Sequence, residues 1–255
     1  MAERWVSGSS LKRALICPAS TVLERSRAPF SEASAKASEF GTLAHEYVED
    51  GTIYVETQEW CSRFNRLHYY PDKGLHEVIC WYDPETGDMG LKPTGEAKRK
   101  HRDYSDIPAH CFVGTIDYMC PLKDGRWWVD DLKTGNSFWL PKPSSDQMLF
   151  AATVICHVMD GEVITSITSI PRYPIGTKPD RKKYVVDRQR ALAYLDKLDI
   201  LYAQWRRQSQ LLAMDMPLDY VGNRECKFCP SRTFCPIGKE VVREREERPN
   251  MSKDR

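Results

Sequence analysis

The alternation of apolar and polar positions divides the chain into a run of elements. Residues 9–25 (SSLKRALICPASTVLER) predict a short helix opened by a serine cap and broken at Cys17-Pro18, where proline removes a backbone donor. Residues 31–50, rich in Ala and Glu, predict a helix through GTLAHEYVEDG, and residues 52–70 a second helix with an aromatic face. EVICWYD at 77–83 reads as a strand, and PETGDMG after it as a turn. Residues 111–119 (CFVGTIDYM) and 126–133 (RWWVDDLK) read as two strands around PLKDG. A helix over 145–159, a strand over 162–173 and a long amphipathic helix over 187–213 follow. A cysteine-rich segment, 226–235, precedes a charged tail at 239–255 that reads as a frayed or flexible end.

Helices, strands, helix, strand, helix is the order of an α/β (or α+β) fold with a central mixed β-sheet flanked by helices. At 255 residues the chain suits one large domain or two small ones, and 41% hydrophobic with 29% charged residues is enough apolar content for a core. A net charge of +1 gives no overall pull on nucleic acid and leaves only local basic faces, such as Lys98–Arg102 and Arg181–Lys183. The longest apolar run, Leu149–Cys156, falls well short of the roughly 18 residues of a membrane span, so no membrane partner is expected. Nine cysteines, an odd number, in a chain whose first residues lack an apolar signal core argue for thiols or metal ligation in a reducing cytoplasm.

The candidate chemistry lies in WWVDDLKTG at 127–135 and in the preceding strand, which carries Asp117. A three-residue loop Lys123-Asp124-Gly125, with Gly125 left-handed, pairs Leu122 with Arg126 and sets Asp117 opposite Asp131. Asp117, Asp131 and Lys133 then share one face. A two-residue Asp-Gly loop shifts the register by one and brings Asp130 beside Asp117 instead. Two carboxylates across a hairpin repel, and a hard divalent cation, Mg²⁺ or Mn²⁺, offsets that. The plain structural alternative is a cross-strand Asp–Lys pair on a wet sheet face. In the tail, Cys226, Cys229 and Cys235 are spaced C-x2-C-x5-C, which is metal-ligand spacing. A fourth ligand would come from Cys17 or from Cys61, Cys80, Cys111, Cys120 or Cys156, the last five in core-like contexts.

GTID at 114–117 followed by DLKTG at 131–135 resembles motifs II and III of the PD-(D/E)XK nuclease superfamily. Gly41-Thr-Leu-Ala-His45 resembles the histidine context of its RecB-like branch, and Cys17 with the three late cysteines resembles the iron–sulfur members, the AddB nuclease domain and the CRISPR-adaptation Cas exonucleases. The resemblance implies a restriction-endonuclease-like core at about 40–175 in a single domain, 1–238, whose ends at 9–25 and 220–238 are joined by a metal cluster. By that resemblance Cys17, Cys226, Cys229 and Cys235 hold a 4Fe–4S cluster; four thiolates suit zinc as well. It further implies that His45, Asp117, Asp131 and the Leu132 carbonyl bind Mn²⁺ or Mg²⁺, and that Lys133 positions the attacking water. Gln147 matches the branch's Gln-x-x-x-Tyr motif as a substrate-binding residue, but Ala151 stands where the tyrosine belongs. The implied activity is a DNA exonuclease on single-stranded or end-containing DNA, in recombination, repair or CRISPR-type adaptation, and in the host cytoplasm if phage-encoded. Trp127, Trp128, Phe138 and Trp139 are candidates for base stacking. The missing tyrosine leaves a second expectation open: a catalytically weak iron–sulfur module that binds DNA beside a recombinase, helicase or integrase.

Overall fold

The computed structural model describes residues 6–23, 32–67, 70–71, 73–93, 104–135, 141–172, 180–222, 226 and 229–240. In chain order the helices are α1 (Leu11–Ile16), α2 (Glu32–Asp50), α3 (Gln58–Leu67), α4 (Asp146–Val158) and α5 (Arg188–Ala213). The strands are β1 (Leu75–Tyr82), β2 (Met89–Pro93), β3 (Phe112–Pro121), β4 (Trp127–Lys133), β5 (Val163–Ser169) and β6 (Asp180–Val186). The described residues up to Ser9 and from Glu32 to Asp196 gather into one compact unit, and those of 10–23 and from Lys197 onward into another.

The first unit is built on a six-stranded mixed sheet in the order β2-β1-β3-β4-β5-β6. Every neighbouring pair is antiparallel except β4 and β5, which are parallel and joined through α4, as a parallel pair requires a crossover. The hairpin between β3 and β4 uses the three-residue loop: Gly125 has φ +84°, and the Leu122 amide donates to the Arg126 carbonyl at 2.7 Å. Asp124 braces the turn by accepting from the Arg126 amide at 3.1 Å. The ladder then runs from Pro121↔Trp127 to Tyr118↔Asp130.

A cluster of Phe40 and Ala44 from α2, Trp60, Cys61 and Phe64 from α3, Leu132 from β4 and Ile170 forms a core. Trp60 stacks on Phe64 at 5.4 Å, meets Phe40 edge-on at 6.4 Å, and donates its indole N–H to the Ile170 carbonyl at 2.8 Å. Burying such an aromatic is worth about 3–5 kcal/mol against alanine. This packing holds α2 against β4, and so places His45 beside it. Helix α4 packs on the sheet as well. A Cβ on Gly114 would lie 3.2 Å from the Phe150 ring and from Cys80 Sγ, so glycine in β3 lets α4 approach.

Two strands were absent from the sequence reading. β2 (MGLKP) has no buried residue and begins inside the segment expected to turn. β6 (DRKKYVV) is an edge strand paired to β5, and its lysines conceal the alternation. The expected helix over 52–70 is a 3₁₀ turn at Val55–Thr57 followed by α3.

In the second unit α1 stops at Cys17, and Pro18 opens a 3₁₀ turn over Pro18–Thr21, closed by Thr21 Oγ1 donating to the Pro18 carbonyl at 2.6 Å. Cys17, Ala19 and Leu218 make its small core, with Val22, Leu23, Leu211 and Tyr220 packed against them.

Candidate active site

The site forms where β3 parts from β4. Beyond Tyr118↔Asp130 the ladder lapses, and the Asp117 carboxylate takes its place, accepting the Leu132 amide at 2.8 Å. His45 reaches in from α2. Its Nε2 lies 3.2 Å from the Leu132 carbonyl, and its Nδ1 lies 3.7 Å from Asp117 Oδ1 and 3.5 Å from Glu77 Oε1. Ligand atoms of His45, Glu77 and Asp117 all fall within 4.8 Å of one another. Asp131 Oδ1 accepts from Lys133 Nζ at 2.8 Å and from Gln147 Nε2 at 3.2 Å. Lys133, a third exposed, is the cation of the site that opens to solvent. His45, Asp117, Asp131, Lys133, the Leu132 carbonyl and Gln147 are thus brought into one neighbourhood.

Glu77 was not singled out from the sequence. The β1–β3 register runs Leu75↔Met119, His76↔Tyr118 and then Val78↔Ile116, which sets Glu77 opposite Asp117 at the skipped rung. Its φ is +50°, a left-handed conformation that costs a side-chain-bearing residue about 1–2 kcal/mol. Such strain gathers at sites that need an exact side-chain direction. No local motif announces this residue, because its place depends on pairing across some forty residues of chain.

Electrostatics tie the group together. Burial raises the Asp117 carboxyl most, the Asp131 and Glu77 charges add to this, and His45 and Lys133 oppose it, leaving it at about 6. Burial pulls the His45 imidazole down, but the Asp117 and Glu77 carboxylates outweigh it and hold it up at about 9. Three carboxylates, those of Asp117, Glu77 and Asp131, thus face one imidazole and one lysine.

Asp130, which the alternative two-residue loop would have set beside Asp117, lies elsewhere. It is fully buried and bonded to the Tyr70 hydroxyl at 2.7 Å and to the Ser166 hydroxyl, which in turn accepts the Trp128 indole N–H at 2.7 Å. Alternation explains it: the hairpin register turns Asp131 towards Asp117 and Asp130 to the opposite face. Trp128, proposed for base stacking, is in this cluster, packed edge-on against Tyr118 and tilted against Tyr70. Trp127 is partly exposed. Phe138, Trp139 and Lys98–Arg102 lie outside the described residues. Lys182 and Lys183 are both exposed on β6. Ala151 is buried in α4, and Phe150 packs against Phe112, so neither takes the tyrosine's place in the site.

A model of the PD-(D/E)XK nuclease superfamily matches residues 6–236. The chain belongs to this superfamily. The mixed sheet flanked by helices is the superfamily's core fold, and its chemistry is metal-dependent cleavage of DNA. The crystal structure of SSO0001 aligns over 93% of this chain and 88% of its own, with 13% identity and a TM-score of 0.39. The serine/threonine-protein kinase Warts of Drosophila melanogaster is 34% identical over 77 residues, which are 28% of this chain and 7% of that protein. The chain spans less than a tenth of that kinase's length. Among the described residues, no helix is long and apolar enough to cross a membrane.

PD-(D/E)XK nucleases use divalent metals, and the residues present fit one. Asp131 Oδ2 is buried with no hydrogen-bond partner, an open acceptor that a cation would satisfy. The donor set is one imidazole with carboxylate oxygens, hard ligands suited to Mg²⁺ and Mn²⁺.

In the second unit Cys17, Cys226, Cys229 and Cys235 line one pocket, together with Arg13, Arg232 and Tyr220. The Cys226 carbonyl accepts the Cys229 amide at 3.1 Å, and the Cys235 amide donates to Ser231 at 3.0 Å, so tight turns present the three late thiols. Burial pushes the Cys17 thiol up, and nearby Cys235 and Cys226 add to that. Cys61, Cys80, Cys111, Cys120 and Cys156 are all buried in the first unit.

Proposed function

We propose that the chain is a divalent-metal-dependent DNA exonuclease of the RecB-like branch, acting on single-stranded or end-containing DNA and carrying a 4Fe–4S cluster. The observation that carries this is the meeting of His45, Glu77, Asp117, Asp131 and Lys133 where β3 parts from β4, with one buried carboxylate oxygen left open. A divalent cation, when bound, supplies polarisation of the scissile phosphate and a lower pKa for the attacking water. His45, Asp117, Asp131 and the Leu132 carbonyl are its ligands, and Mn²⁺ is favoured by the imidazole. Lys133 Nζ, held by Asp131, orients the water and counters charge developing on the phosphate. Gln147 fixes the other side of the same carboxylate oxygen, so that its oxygens keep their direction.

The iron–sulfur part rests on four thiols ringing a pocket flanked by two arginines, whose charge offsets that of the thiolates. Four thiolates suit zinc as well, and the resemblance to the iron–sulfur members favours the multi-iron cluster. The setting that fits is DNA recombination, repair or CRISPR-type adaptation, beside a recombination or integrase partner in a cytoplasm. Anaerobically purified protein is expected to carry a visible iron–sulfur absorbance band and to degrade linear DNA from its ends with Mn²⁺. A colourless protein holding zinc alone, or cleavage of circular and linear DNA at equal rates, would contradict these two parts in turn.

A further inference from the structure

A second group of metal-binding side chains lies at the other end of β1. Tyr82 pairs with Phe112, so the same register sets Asp83 opposite Cys111 just past the end of the ladder. His110 turns back over the pair, with Nε2 3.1 Å from Asp83 Oδ1 and 3.7 Å from Glu85 Oε2. Ligand atoms of Asp83, His110 and Cys111 all lie within 4.8 Å of one another. Asp83 and Cys111 are buried, while Glu85 is half exposed. Six residues along β1 separate Asp83 from Glu77, about 20 Å of strand, so this is not the nuclease site.

Oδ1 of Asp83 already serves the turn that follows it. It accepts the Glu85 amide at 2.8 Å, the Thr86 amide at 3.4 Å and the His110 ring. One ring nitrogen carries at most one proton, yet two carboxylates face His110 Nε2. The space beside the ring nitrogen, faced by both carboxylates, is one that a cation can take. The donors are one imidazole nitrogen, one thiol sulfur and two carboxylates, a mixed set that suits zinc, whereas Mg²⁺ and Ca²⁺ take oxygen. Ligands bound to zinc at its usual bond lengths stand roughly 3.3–3.8 Å apart, so the group needs to close by no more than about 1.5 Å.

We propose that Asp83, His110 and Cys111, with Glu85 as the fourth ligand, form a structural zinc site that pins the β1–β2 turn to the start of β3. On binding, the Cys111 thiol releases its proton to solvent and His110 coordinates as the neutral ring. The site has no open position and so no catalytic role. It is independent of the nuclease reading.

The test is zinc stoichiometry and affinity on the full chain, stripped by chelator and reloaded with Zn²⁺, counted by metal-specific mass spectrometry and followed by thermal unfolding. The cysteine pocket and the nuclease site also take zinc, so the result is read as a difference between variants. His110→Ala is expected to bind one zinc fewer than the wild type and to lose part of the zinc-dependent rise in Tm. Glu85→Gln, on an exposed turn that tolerates substitution, is expected to weaken that zinc about tenfold or more. Zinc count, affinity and Tm shift unchanged in both variants would overturn the site and leave a hydrogen-bonded pair.

Discussion

Glu77 combines a backbone cost with a role in the site. Its left-handed φ is one that glycine adopts freely, while its carboxylate faces His45. In metal-free protein, Glu77→Gly should therefore be more stable than Glu77→Ala by about 1 kcal/mol, measured by urea unfolding, the reverse of the usual order in a strand. Both variants should bind Mn²⁺ more weakly in calorimetry. Asp130 and Asp131 are neighbours in sequence with opposite duties. Asp130→Ala leaves Tyr70 and Ser166 without their shared acceptor, so it should cost about 1–3 kcal/mol of stability while the folded protein still cleaves DNA. Asp131→Ala should abolish cleavage and Mn²⁺ binding; it removes one buried oxygen that has no partner and also the oxygen that accepts from Lys133 and Gln147, so metal-free stability should fall by about 1–3 kcal/mol as well.

Among the elements, β3 carries a packing constraint against α4. Gly114→Ala places a Cβ 3.2 Å from Phe150 and Cys80, and should destabilise the fold by about 1–3 kcal/mol in urea unfolding. The β3–β4 hairpin was legible in the sequence because its register follows from local turn chemistry: a left-handed Gly125 and a three-residue loop put Asp117 and Asp131 together. The helices were legible down to the break at Cys17-Pro18, except that the one expected over 52–70 begins only at Gln58, after a 3₁₀ turn. β2 and β6 were not, since edge strands carry charge and little alternation. Glu77 and the Asp83–Cys111 pair were not legible either. Both depend on the long-range pairing of β1 with β3, which no local pattern specifies, and EVICWYD reads only as a strand.

Over the whole molecule, a family match across residues 6–236 joins the sheet unit and the cysteine unit in one evolutionary design. Early Cys17 and late Cys226, Cys229 and Cys235 meet in one unit, although more than two hundred residues of chain lie between them. A shared metal cluster would close that long loop and so restrain the unfolded chain. Cys17→Ser should accordingly bleach the visible absorbance of anaerobically purified protein and lower its Tm, with Cys61→Ser as the control that keeps the colour. The measurement that bears most directly on the nuclease reading is degradation of end-labelled linear single-stranded DNA with Mn²⁺ by the wild type and by Lys133→Ala. The wild type should degrade the DNA, and the variant should bind it with cleavage at least about 100-fold slower. Degradation by Lys133→Ala at the wild-type rate, or binding without cleavage by both proteins, would contradict the assignment of Lys133 and its neighbouring acids as the cleavage site.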